Sequence, residues 1–267
     1  MIFACPVCHE ALLLRDARHF ACVNGHHFDR AKEGYVNLLL ANQKKSSDPG
    51  DSKTMIQARR LFLNGGYYQP LIAAISQLLP DFSNDGAILD VGCGEGYYIG
   101  QVECSQRYGI DISKIAIRYA AKGYRNVEFA VGSAMNLPIL DNSVDIMLSI
   151  FAPLDIAEAV RVIKKDGLLV KVRPNSNHLF ELKQLLYDTP QTHDISALLS
   201  DMSDRLRGIH SEAVTYTLQI ANIEHIQALL QMTPYYWHAT SVQQNQVSKL
   251  EELQVTADFR IDIYRLA

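Results

Sequence analysis

The stretch Ala87-Ile88-Leu89-Asp90-Val91-Gly92-Cys93-Gly94-Glu95-Gly96-Tyr97-Tyr98 leaves a chain few ways to fold. An apolar run closed by three alternating glycines and then a helix-compatible segment predicts a buried parallel strand turning tightly into a helix near 97–104. Glycine at 92, 94 and 96 removes side chains where the main chain must pass close to a bound molecule, and it permits positive φ. A helix starting near Tyr97 offers unpaired N–H groups to an anionic end of that molecule. A carboxylate belongs at the end of the next strand. Asp111 supplies it, in Tyr108-Gly109-Ile110-Asp111-Ile112, about 20 residues after the glycines begin, the spacing at which such a group meets ribose hydroxyls.

Two ligands compete for that loop. A dinucleotide site has Gly-x-Gly-x-x-Gly, whereas Tyr97 stands at the sixth position here and Gly96 gives Gly-x-Gly-x-Gly with Asp90 ahead of it. This resembles the form found in S-adenosyl-L-methionine (SAM) methyltransferases. A sulfonium ligand with a zwitterionic end and no pyrophosphate tolerates Asp90 and Glu95 beside the loop. An ordinary strand-to-helix turn is the alternative, and Asp111 with the strands that follow weighs against it.

Those strands are expected near 87–91, 107–111, 127–131, 144–150 and 167–172, with helices near 97–104, 113–122 and 155–164. Regular αβ alternation implies a doubly wound parallel sheet with right-handed crossovers, whose ligands collect at the carboxyl ends of the strands. Five turns should surround one pocket: Gly92–Gly96, Asp111–Ser113, Gly132–Asn136, Ile150–Asp155 and Arg173–His178. Upstream, Ser52 caps a helix ending at Asn64-Gly65-Gly66, and Tyr67-Tyr68-Gln69-Pro70 opens another. Asp48-Pro49-Gly50-Asp51 reads as a turn. Downstream, a helix runs through Leu182, Leu185 and Leu186, and 188–210 has no clear pattern. Strands over 213–220 and 256–264, antiparallel at the sheet's end, flank helices near 222–232 and 243–253.

The five cysteines are read by spacing. Cys5 and Cys8 enclose two residues, and Cys22 and His26 enclose three, a pattern that suggests tetrahedral Zn2+ in a reducing compartment. A segment of this size cannot bury enough apolar area to fold unaided, and metal supplies the rest. His9 and His27 are spare, and His27 could replace His26 in a longer knuckle. Cys93 and Cys104 read as unligated.

No apolar stretch reaches the roughly 20 residues needed to span a bilayer, and the N-terminus is unlike a signal peptide, so a cytoplasmic location is expected. The net charge of −4 is uneven: residues 30–60 carry +4, leaving −8 on the rest. Such a basic strip (Arg30, Lys32, Lys44, Lys45, Lys53, Arg59, Arg60) can steer a phosphate backbone, although charge alone favours a solvated loop and helix face.

Cys5-x2-Cys8, Cys22-x3-His26-His27-Phe28-Asp29, Ala31-Lys32-Glu33-Gly34-Tyr35-Val36-Asn37-Leu38, Asp48-Pro49-Gly50-Asp51-Ser52 and the glycine loop, with Leu230-Gln231-Met232-Thr233-Pro234 late in the chain, together resemble the bacterial 23S ribosomal RNA guanine-N1 methyltransferases. The resemblance runs along essentially the whole chain. It implies an α/β fold: a Rossmann-like, doubly wound SAM-dependent methyltransferase sheet with a small N-terminal zinc-binding domain. The parts are expected at 1–36 (zinc-binding, RNA-recognising), 37–80 (basic loop and helical linker) and 81–267 (methyltransferase). It further implies a homodimer acting on a guanine in a 23S rRNA hairpin. Zinc ligation carries over to Cys5, Cys8, Cys22 and His26, and SAM binding to Tyr68, Gly92, Gly94, Glu95, Gly96, Asp111 and His178.

Bland readings stand beside these. Tyr68 packs its ring beneath a helix start, or His178 caps the following helix. After the third strand, Gly132-Ser133-Ala134 lacks the acidic residue that often meets the adenine amino group, which leaves backbone near Ala134 for that task and less for Ser133. Phe151 is a candidate for stacking on guanine or simply closes a core strand; Asp155 is a candidate proton acceptor or a helix N-cap, the commoner role. No general base is assigned. A metabolite methyltransferase and a non-catalytic RNA-binding adapter remain the competing functions.

Overall fold

Alternating strand residues face opposite sides of a sheet, and two separate apolar cores result. Ala87, Leu89 and Val91 of β5 (Ala87–Val91) join one core, and Ile88 joins the other. The computed structural model describes residues 1–16, 18–43, 50–79, 86–193 and 204–267. Lys44, Lys45, the Asp48-Pro49 half of the expected turn and much of 188–210 lie outside the described residues.

The N-terminal segment forms a three-stranded antiparallel ribbon, β1 (Leu13–Leu14), β2 (His19–Ala21) and β3 (His27–Asp29). Then come β4 (Val36–Asn37), α1 (Lys53–Asn64), α2 (Gln69–Leu78), β5, β6 (Gln106–Asp111), α3 (Lys114–Gly123), β7 (Glu128–Val131), β8 (Val144–Ile150), α4 (Ile156–Val162) and β9 (Ile163–Pro174). The chain ends with α5 (Phe180–Leu186), β10 (Leu206–Ile220), α6 (Ile223–Met232), α7 (Tyr235–His238), α8 (Ser241–Val247) and β11 (Leu253–Leu266). The large sheet has the order β10-β11-β9-β8-β5-β6-β7-β4. β4 through β9 pair in parallel, and β11 and β10 close the far end antiparallel, as the alternation of the sequence anticipates.

Local chemistry explains the helix starts. Ser52 accepts the Met55 N–H, Ser113 the Ala116 N–H, and Asp155 the Glu158 N–H, so each satisfies a donor that has no partner within its helix. Asp155 therefore takes the N-cap role.

Three expectations need correction. Residues 97–101 form turns rather than a helix, with Gly100 N–H bonded to Gly96 O and Gln101 N–H to Tyr98 O. Gly100 lies against the Tyr124 ring, to which a Cβ would come within 2.2 Å. This tight seat bends the chain back toward β6. The last helix stops at Val247, short of the expected 253, because β11 begins at Leu253. Finally, Val36–Asn37 forms an edge strand paired in parallel with β7, two residues too short for periodicity to detect.

The two faces of the sheet are covered differently. Side chains of α1, α2, α3, α5, α6 and α8 pack on one face. On the other face α4 is joined by the ribbon itself: Ile2, Phe3, Leu12 and Phe20 pack with Leu89, Tyr108, Ile110 and Met147. Phe3 sets its ring edge-on to Tyr108 at 5.6 Å, and main-chain bonds from Ala4 to Pro138 and from Leu140 to Ile2 stitch the segments together. Burying Phe3, Leu12 and Phe20 contributes roughly 5 to 9 kcal/mol gross to this seam, at the usual value per large apolar side chain.

Candidate active site and metal cluster

Gly92, Gly94 and Gly96 all adopt positive φ, at 73°, 56° and 85°. A Cβ on Gly92 would lie 2.4 Å from that of Ala152, so the loop can pass the end of β8 only as glycine. Asp111, at the end of β6, grips the loop: one carboxylate oxygen accepts Gly94 N–H at 2.9 Å and the other Ser113 N–H at 2.7 Å. Burial raises its pKa against the pull of those two N–H groups.

Three buried polar atoms around the loop have no hydrogen-bond partner among the described residues: Asp90 Oδ2, Glu95 Oε1 and the Tyr97 hydroxyl. Buried polar groups are normally satisfied, so a ligand is the economical explanation. Burial, with Asp111 nearby, pushes Asp90 up to about 8. Burial also raises Glu95, against the pull of Arg60 and Arg59. Two carboxyl groups raised by desolvation suit the ammonium of an amino-acid end, and three left-handed glycines leave room for its main-chain approach. The cradle fits SAM.

Arg59, in sequence only one member of a basic strip, lies over this loop, paired with Asp51, and its Nη1 would be 3.7 Å from a Cβ on Gly94. Arg60 stacks on Tyr119, and Arg30 pairs with Glu128, so the strip is divided among different surfaces. Nothing in the sequence pattern distinguishes Arg59, because the loop it covers lies 35 residues further along the chain.

Along the same sheet edge runs an aromatic wall. Tyr68 precedes α2, sets its ring edge-on to Phe259 at 4.9 Å and to Phe62 at 5.3 Å, and brings its hydroxyl 3.5 Å from His178 Nε2. His178 does not cap α5. Its Nδ1 accepts the Asp258 N–H at 3.2 Å, which leaves the proton on Nε2, facing Tyr68. Asp258 holds the turn in place by accepting from Asn175, Asn177 and Thr215. Burial pushes His178 down to about 3, so the ring is neutral.

Phe151 completes the wall. It has φ 56° and is 39% exposed, an arrangement costing about 1–3 kcal/mol of backbone strain for a bulky residue. It does not close a core strand. Its ring stands 6.1 Å from Tyr98, 6.4 Å from Tyr68 and 5.5 Å from Phe259. Ser133 turns inward on its own loop, accepting the Met135 N–H.

In the ribbon, Cys5, Cys8, Cys22 and His26 present ligand atoms all within 4.8 Å of one another. Cys8 and Cys22 sulfurs are 3.7 Å apart, and His26 Nδ1 lies 3.3–3.5 Å from all three sulfurs. Zinc–sulfur bonds of about 2.3 Å in a tetrahedron put sulfurs about 3.8 Å apart, so the cluster fits Zn2+. Asn24, followed by the Glu10 main chain, lowers Cys8 to about 6, whereas burial raises Cys5. His27 stands exposed on β3, outside the cluster.

Comparisons with known proteins agree with both halves of this geometry. Residues 3–47 match the family described as RlmA, N-terminal, a zinc ribbon, and residues 82–250 match the family described as methyltransferase domain. The chain is 34% identical to a putative 23S rRNA (guanine-N1)-methyltransferase of Bacillus subtilis, over 98% of this chain and 95% of that one. It is 30% identical to the 23S rRNA (guanine(748)-N(1))-methyltransferase of Streptomyces fradiae, over 88% and 85%. A solved complex of the Haloferax volcanii Trm112 methyltransferase activator and the putative methyltransferase contains a chain of like fold, with TM-score 0.50 and 15% identity, covering 82% of this chain and 99% of that one.

Proposed function

The chain belongs to the 23S rRNA (guanine-N1)-methyltransferases, SAM-dependent enzymes with a zinc ribbon, and we propose that it methylates N1 of a guanine in a 23S rRNA hairpin loop. The observation that carries this reading is the exposed, strained Phe151 beside a glycine cradle with unpartnered carboxyl oxygens. SAM supplies an activated methyl group. Gly92, Gly94, Glu95 and Gly96 take its amino-acid side, Asp111 its ribose hydroxyls, and Tyr68 with His178 the wall beside it. Cys5, Cys8, Cys22 and His26 hold Zn2+.

Guanine N1 keeps its proton at neutral pH and is shielded in a duplex, so the base must be splayed from a loop or flipped into the site. In-line placement and water exclusion then fall to the aromatic wall. Phe151 offers a stacking face. His178 serves in positioning, because its Nδ1 is committed to Asp258 N–H and its Nε2 already bears a proton. The protein acts as a cytoplasmic homodimer in this reading; exposed Trp237 and Val242 supply apolar surface for a second copy. No described helix is long and apolar enough to cross a membrane.

The pure protein is expected to transfer labelled methyl groups from SAM to protein-free large-subunit RNA from cells lacking this gene. An N1 methyl blocks pairing, so reverse transcription should stop one nucleotide before the modified base. No incorporation and no stop would remove the assignment; transfer to a small metabolite instead would favour the competing enzyme.

Phe151→Ala should lower kcat/KM for RNA about 10- to 100-fold, the value of one base–aromatic stack, while SAM affinity stays within a few-fold. Equal losses in both, measured by calorimetric SAM titration beside steady-state kinetics, would count against stacking.

A further inference from the structure

A cleft of about 340 Å³ opens between the ribbon and the Rossmann-like body, lined by Arg18, Arg30, Lys32 and Arg125, with Glu33 and the small residues around it. Glu33, its one acid, is 7% exposed and already paired with Arg118 at 2.9 Å. Arg30 is clamped by Glu128 through both carboxylate oxygens and by the Gly34 carbonyl. Arg125 donates to the Glu33 main-chain carbonyl. Neither the Arg18 nor the Lys32 side chain makes a close ion pair among the described residues, and Lys32 reaches Glu33 only through its field.

Arg18 and Arg125, with no carboxylate of their own among the described residues, thus converge with Lys32, which shares Glu33 with Arg118, in a concavity of a protein whose net charge is −4. Like charges held together repel unless an anion joins them, and Arg125 is held by the Glu33 carbonyl, with Arg30 fixed beside it by Glu128, rather than left to swing apart. The cleft lies at the amino end of β7, beside Val127, whereas Asp111 and the cradle lie at the carboxyl end of the neighbouring strand. Four residues of strand put the two sites roughly 13 Å apart along the sheet at 3.3 Å per residue.

We infer that this cleft binds a backbone phosphate of the RNA substrate, away from the base being methylated, and so sets the register of the hairpin on the protein. The inference rests on the substrate reading above. Point charges facing a diester fix position without reading sequence. Arg18 and Arg125 belong to different halves of the molecule, one on the ribbon and one after α3, so the phosphate also ties the halves together.

The test is the triple variant Arg18→Gln, Lys32→Gln, Arg125→Gln, compared with Arg18→Lys, Arg125→Lys, in the full zinc-loaded chain. The probe is a transcribed 23S rRNA hairpin, titrated from 50 to 200 mM salt. The Gln variant should bind about 10- to 100-fold more weakly at low salt, and its plot of log K against log salt should be shallower by about one for each phosphate no longer neutralised. KM for RNA should rise with kcat, SAM affinity and zinc content unchanged, and the Lys variant should retain most of the affinity. An unchanged salt slope in a chain that still methylates rRNA would overturn the cleft and leave the methyltransferase reading intact. Lost hairpin affinity in the variant, with no methylation by the parent chain, would remove the substrate reading and leave the cleft. Binding only to phosphatidylserine vesicles, lost in the Gln variant, would overturn the RNA assignment in favour of a lipid surface.

Discussion

Cys22→Ser, or removal of zinc by a chelator, is expected to lower the melting temperature of the whole chain by about 10 to 20 °C in a single transition, and to abolish methylation of RNA. Structural zinc contributes its binding free energy directly to folding, on the order of 10 kcal/mol for isolated fingers. Here the effect reaches beyond the ribbon because Phe3, Leu12 and Phe20 are part of the core on one face of the large sheet. Losing the metal releases these side chains and uncovers Leu89, Ile110 and Met147 to solvent. Scanning calorimetry with zinc release followed by a chromophoric chelator checks it. Two resolved transitions, the larger at its original temperature, would show the ribbon to be thermodynamically separate.

Asp90→Asn is expected to act in opposite directions on stability and on binding. In the folded chain Asp90 keeps its proton up to about pH 8, through burial first and Asp111 second, whereas in the unfolded chain it releases it in the ordinary carboxylate range. Between those limits the folded state holds one more proton than the unfolded state. Stability from this group is therefore greatest in acid and falls as pH rises through the window, reaching its minimum above about pH 8. An amide has no charge to desolvate, so at pH 8 the ligand-free variant should be more stable by about 5 kcal/mol, or about 10 to 20 °C. SAM affinity should fall about 10- to 100-fold with loss of the carboxylate that meets the ammonium. In the parent chain SAM binding at pH 7 should release close to one proton, seen by calorimetry in buffers of different ionisation enthalpy. The variant should release none. Proton release that persists in Asp90→Asn would place the titrating group elsewhere.

Much of the sheet is legible because its signals are local. The apolar run 87–91, the caps Ser52 and Ser113, and the β-rich segments near 213 and 256 each declare themselves within a few residues. The same holds for the cysteine–histidine pairs and for the position of Asp111, which ends the strand paired next to β5. What is not legible depends on partners far along the chain. The turns at 97–101 follow from Tyr124 pressing on Gly100, and Val36–Asn37 becomes a strand only because β7 offers an edge. Arg59 looks like any helix cation until Asp51 and the glycine loop close around it. Phe151 follows the same rule, since its strained φ is imposed by Val172, which accepts its N–H, and by Ala152 seated on Gly92.

The seam between ribbon and sheet also bears on how the protein is made. The first thirty residues leave the ribosome long before Tyr108, Pro138 and Ile139, against which Ile2, Phe3 and Ala4 come to rest. The nascent ribbon can capture its ion early, yet it has nowhere to set its aromatic rings until Tyr108 through Ile139 have been translated. The ribbon is thus synthesised before the surface that seats it.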